Sequence, residues 1–174
     1  KRAVTYIQLE VAANTDVFIS NLDVNGNYLW ASAISGTSTQ TAIDLDLGVA
    51  GNTVYVFGNY TGVTDFDPGV GTATLTDAGG SDLFVCALTA TAGGYLWCAR
   101  AGTNTAETAN GASVDGSGNI YLTGTFRGTV DFDPGASVNN LVSTGNTDIF
   151  IVELTSTGNF IWAGAIGGTA NDTG

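Results

Sequence analysis

Histidine and methionine are absent from this chain, lysine occurs once, as Lys1, and cysteine and proline occur twice each. Without histidine, no base is at hand for a Ser–His or Cys–His hydrolase. With only two cysteines, the nitrogen and sulfur ligands of a zinc site are missing as well. Four basic residues against sixteen acidic ones leave a net charge of -12, which repels phosphate backbones and anionic membrane surfaces. Nucleic acid is thereby excluded as a partner. No apolar run reaches the ~20 residues of a membrane-spanning helix, so membrane insertion is not expected, and no signal-peptide pattern opens the chain. Because no methionine occurs anywhere, Lys1 is not read as a translational start, and the chain is read as a segment cut from something longer.

What the chain does have is 44% hydrophobic residues and 25 glycines, enough apolar surface for a core and many points of chain reversal. These residues recur with a period. Asp16-Val-Phe-Ile, Asp82-Leu-Phe-Val and Asp148-Ile-Phe-Ile stand 66 residues apart, as do Gly36-Thr37, Gly102-Thr103 and Gly168-Thr169. The same offset relates Tyr55 to Tyr121, Gly58 to Gly124, Gly62 to Gly128, and Asp65-Phe-Asp-Pro-Gly69 to Asp131-Phe-Asp-Pro-Gly135. The organisation that follows is the end of a preceding unit at 1–15, unit 1 at 16–81, unit 2 at 82–147, and the first hairpin of unit 3 at 148–174.

Within a unit, β-branched and aromatic residues come in short runs between Gly, Asn and Asp clusters, with no helical periodicity, so each unit is read as about four strands. The first hairpin runs from Asp16–Asp23 through a two-residue type I′ Asn25-Gly26 turn into Tyr28–Ile34, and unit 3 uses Thr157-Gly158. Unit 2 carries one extra residue in a Thr91-Ala92-Gly93 loop. A second pair follows, 41–47 with 53–60 and 112–115 with 119–126. In Asp16–Leu22 both alternating sets are apolar, which predicts a strand covered on both faces. Small residues follow each of Trp30, Trp97 and Trp162 and let a neighbouring sheet approach. The expected fold is therefore all-β, with tandem four-stranded antiparallel sheets stacked as propeller blades, the ring being partial or completed by other chains through strand addition.

The stretches 114–124, 148–162 and 167–172 resemble the bacterial β-propeller repeat family known as SBBP, here in a variant carrying the Asp-Phe-Asp-Pro-Gly insert. The resemblance spans nearly the whole chain. It implies a propeller in a large secreted or surface protein and carries over no catalytic residues. Ile43-Asp-Leu-Asp-Leu47 and Ala50-Gly-Asn52 depart from the pattern where unit 2 has Val114-Asp-Gly-Ser-Gly-Asn119.

Several residues invite a chemical reading. Counting back from the unit 2 loop pairs Ala90 with Gly94, Leu88 with Leu96, and Cys86 with Cys98, which places the cysteines opposite each other. They form a cross-strand disulfide in an oxidising compartment or remain two buried thiols. In Asp65-Phe-Asp67 and Asp131-Phe-Asp133 the carboxylates share one side of an extended chain. Each pair holds calcium together with carbonyls, or caps backbone N–H groups of an Asp-Pro-Gly turn, the reading that fits calcium's need for six or more oxygens better. Trp30, Trp97 and Trp162 are core residues or sugar-stacking platforms. Tyr60 and Phe126 are expected to make exposed contacts. Asn59-Tyr-Thr61 and Asn171-Asp-Thr173 are glycosylation sequons. Most acids fall at repeating turn positions, whereas a catalytic site should break the repeat, so a two-carboxylate glycosidase ranks last. The leading expectation is a non-enzymatic, extracellular structural or adhesive module, part of a longer surface protein or a filament-forming subunit, without a cofactor. It would meet other copies or neighbouring repeats through sheet edges and blade faces. The alternative is a calcium-dependent glycan-binding propeller.

Overall fold

Runs such as Val54-Tyr-Val-Phe57 and Leu83-Phe-Val-Cys86 fold as strands because branched and aromatic side chains pack well on a pleated surface. The computed structural model describes residues 3–11 and 14–173, and among these there are strands and turns but no helix. In chain order the strands are β1 (Ala3–Val11), β2 (Asn14–Leu22), β3 (Tyr28–Gly36), β4 (Gln40–Leu47), β5 (Thr53–Tyr60), β6 (Val63–Asp65), β7 (Thr74–Thr76) and β8 (Asp82–Thr89). There follow β9 (Tyr95–Ala101), β10 (Thr108–Val114), β11 (Ile120–Phe126), β12 (Thr129–Asp131), β13 (Asn140–Val142), β14 (Asp148–Leu154) and β15 (Phe160–Ile166).

All pairing is antiparallel. A first sheet runs β1-β2-β3 and continues through β6-β7, a middle sheet runs β4-β5-β8-β9, a last sheet runs β10-β11-β14-β15, and β12-β13 form a separate ribbon. The expected four-stranded sheets are present, but each draws two strands from each of two successive units. In the middle sheet β4 and β5 come from unit 1, and β8 and β9 begin unit 2. The two hairpins of a unit therefore fall in different sheets, and across the 21 residues between β5 and β8 the chain returns β8 beside β5 along Thr53↔Thr89 to Tyr60↔Asp82.

The hairpin turns correct the sequence reading in one respect. The amide of Gly26 donates to the Asp23 carbonyl at 3.0 Å and that of Asp23 to the Asn27 carbonyl at 2.8 Å. The central turn residues are thus Val24 and Asn25, with Gly26 left-handed at φ 83°, where a type I′ turn would centre on Asn25-Gly26. Thr155 to Asn159 repeats this closure. In unit 2 the loop is closed by Thr89 and Gly94, so Leu88 pairs with Tyr95, not Leu96, while Cys86 and Cys98 do stand opposite. The extra residue also shifts what comes after it. Ile34, Ala101 and Ile166 share one place in the ladders, paired with Val17, Leu83 and Ile149. Gly36 therefore corresponds to Thr103, not to Gly102. A β10-β11 turn one residue shorter than the β4-β5 turn restores the period. The departing 43–52 stretch keeps the β4-β5 pairing, with a bulge at Ile43 that Asn110 matches in β10.

Two cores hold the sheets together. Val17, Ile19, Trp30 and Ile34 of the first sheet pack against Phe84, Cys86 and Leu88 of the middle one. Leu83, Val85 and Ala87, on the other face of the same strand, pack against Phe150, Val152 and Leu154 of the last sheet. β8 is thus buried on both faces, as its doubly apolar pattern predicts, whereas β2 and β14 carry the same pattern but keep Phe18 and Leu22, and Ile149 and Ile151, only half-buried.

Candidate functional site

The Asp-Phe-Asp-Pro-Gly inserts deliver an aromatic plug. Phe66 is fully buried between Tyr60 and Phe84, with ring centroids 5.2 and 5.1 Å away, and Phe132 lies between Phe126 and Phe150 at 5.5 and 4.8 Å. Each plug fills one of the two inter-sheet cores. Tyr60 and Phe126 are accordingly 1% and 0% exposed, which overturns their reading as exposed contacts: the insert folds back over them.

The flanking aspartates serve the loop itself. Asp65 Oδ1 accepts from the amides of Asp67 at 3.1 Å and Ala73 at 2.8 Å, and Asp67 Oδ1 from that of Gly69 at 2.8 Å. Asp131 Oδ1 accepts likewise from Asp133 and Asn139, and Asp133 Oδ1 from Gly135. Among the described residues no group of three or more His, Cys, Asp or Glu side chains is gathered as metal ligands.

Buried acids do occur beside the sheets. Asp82 is fully buried; its Oδ2 accepts from the Ala78 amide and from Arg100 Nη1, each at 3.0 Å, while Oδ1 has no partner among the described residues. Burial pushes its carboxyl up, and the Ala78 amide and Arg100 oppose that rise. Glu107, also buried, accepts from the Thr103 amide at 2.9 Å and from the Thr105 hydroxyl at 2.9 Å, and burial likewise raises it. These acids terminate strands and hold loops.

The contact between sheets is built from groups that reach across. Asn59 donates to the Glu107 carbonyl at 2.8 Å and accepts from the Ala109 amide at 2.9 Å, tying β5 to β10. This sequon is occupied by structure, whereas Asn171 is exposed. The acids of the departing stretch have the same use: Asp44 and Asp46 accept from the amides of Ala112 and Val114 at 3.2 and 2.8 Å, capping N–H groups along the edge of β10.

At the hairpin end, each sheet meets a turn of the next. Trp30 Nε1 and Asn21 Nδ2 donate to the Ala90 carbonyl at 3.0 and 2.8 Å, and the Tyr55 hydroxyl donates to the Ser156 carbonyl at 3.0 Å. Trp30 lies against Gly93 and Trp97 against Gly158, so closely that a Cβ on either glycine would come within 2.7 or 2.8 Å of the indole ring. Trp30 is 7% exposed and Trp97 half-buried, while Trp162, on the outer face of the last sheet, is 41% exposed and donates to Glu153. Equivalent tryptophans therefore differ in cover. Gly93 and Gly158 as seats were not foreseen, although both share the period of the tryptophans.

Cys86 and Cys98 form a disulfide across β8 and β9, 4.2 Å apart at Cα. The bond fits an oxidising compartment. Neither a protein-family model nor a curated protein sequence matches the chain.

Proposed function

We propose that the chain is a non-enzymatic structural module of a secreted or cell-surface protein, its sheets set as blades of a propeller-like array of repeats. The observation that carries this reading is the shared contact device. Between the first and middle sheets and again between the middle and last, an aromatic plug, a tryptophan on a turn glycine and a donor to a turn carbonyl recur together. Repetition of one packing unit gives length and rigidity. The sequence resemblance to the SBBP repeats, the disulfide and the acidic surface support the extracellular setting.

One feature favours a glycan-binding reading instead: a groove between turns, lined by Tyr55, Leu96, Trp97, Ser117 and Thr157. Limited proteolysis and a glycan array, each run with and without calcium, separate the two. The structural reading expects the chain to resist cleavage equally in both conditions and to retain no glycan. Calcium-dependent glycan capture, abolished in Trp97→Ala, would replace it with the rival.

A further inference from the structure

We propose that the chain associates head to tail with a second copy of itself, Trp162 of one copy seating on Gly26 of the next. The inference rests on the reading of the chain as a stacking β-repeat module and names the partner of its free faces.

Three hairpin turns carry a left-handed glycine at the same place, Gly26, Gly93 and Gly158, with φ of 83°, 67° and 80°. The conformation alone would admit asparagine. What asparagine could not provide is the flush surface: the missing Cβ of Gly93 leaves room for Trp30, and that of Gly158 for Trp97. Around Gly26 no atom of the described residues lies within 4 Å of the Cβ position, and its turn is exposed. Two tryptophans and two glycines are matched within the chain. Among the described residues Trp162 and Gly26 have no such partner, and they lie on the outer faces of the last and first sheets.

The rest of each free face completes the same contact. On β2, Phe18 and Leu22 point away from the middle sheet, at positions where Phe84 and Leu88, and again Phe150 and Leu154, are buried in the inter-sheet cores. On β14, Ile149 and Ile151 are half-buried, at positions where Val17 and Ile19, and again Leu83 and Val85, are buried. The carbonyl that receives the cross-sheet donor belongs to Ala90 and Ser156; its counterpart in the first turn is Val24, 66% exposed. On the last sheet the matching donors, Trp162 Nε1 and the Tyr121 hydroxyl, converge on Glu153, which holds them in place at the surface. The two ends are therefore unlike halves of one interface that the chain already makes twice. Such halves join heterologously, which propagates a filament or closes a ring, and two like ends do not fit each other.

The test uses the 174-residue chain and two variants, Trp162→Ala and Gly26→Asn, the latter chosen because asparagine tolerates a positive φ. Sedimentation velocity from micromolar to millimolar concentration is expected to show assembly of the unaltered chain, with indole emission shifting to the blue as Trp162 is covered. Each variant alone, shown by its melting curve to be folded, should lose association by about thirtyfold or more. Mixed together, the two should form dimers that grow no further, since one supplies the tryptophan and the other the glycine. Monomers at every concentration, assembly that persists in either folded variant, or a mixture that fails to pair would each overturn the proposal. Persistent assembly would leave the structural reading standing with another contact surface, and proteolysis decides that reading independently.

Discussion

Gly102 owes its place to its neighbour more than to its backbone. A Cβ there would stand 2.3 Å from the carboxylate of Asp82, and one on Gly167 would stand equally close to that of Asp148. Unit 1 has Ser35 at this place, and there the corresponding acid, Asp16, is only half-buried. Gly102→Ala should therefore cost about 2 kcal/mol, read as a shift of the urea midpoint, because an overfilled site must push its neighbours apart. Gly111→Ala, with no described atom within 4 Å of the new carbon, should be neutral or slightly stabilising. Equal losses in the two variants would refute the steric explanation. The recurring Asp was legible in the sequence as an anchor of the period, but its use was not. Its partners sit in the Ala78 loop and on Arg100, which no spacing rule connects to it.

At the scale of strands, the pairing of Cys86 with Cys98 could be counted off the chain because antiparallel ladders have a fixed two-residue repeat. The count succeeded at the cysteines and failed nearer the turn, where a bulge at Ala87/Leu88 absorbs the difference. This bulge and those at the matching places in the other two hairpins leave Leu96, Leu29 and Ile161 unpaired and partly exposed, a feature that periodicity alone does not reveal. The disulfide closes a loop with a sequence separation of 12. Replacing the pair by Cys86→Ser with Cys98→Ala, the residues unit 1 carries at those positions, should lower unfolding stability by about 3 kcal/mol. Chemical reduction of the unaltered chain should bring its urea curve onto that of the variant. Coincidence of the oxidised curve with the variant's would show that the bond adds nothing.

For the molecule as a whole, the sequence revealed strand content, period and doubly covered faces, since these follow from alternation and repetition. It concealed which strands share a sheet. The insert between β5 and β8 reads as a turn and acts as a plug: Phe66 folds over Tyr60 where the two strands lie side by side. Among the described residues the middle sheet is the one packed into both cores, so its stability is tied to both of its neighbours.

Because every sheet straddles a unit boundary, the chain is indifferent to the phase at which a whole period is gained or lost. Removing residues 82–147 would bring β14 to the end of the connector after β5, and their ladder would form from the same kinds of side chain that β8 now supplies. The shortened chain should melt cooperatively with one layer fewer. Excising half a period would strand an unmatched hairpin and should yield aggregate, and calorimetry of the two deletions would distinguish these fates. A fold knitted in this way can lengthen by copying its gene segment from any starting point, with no seam to repair.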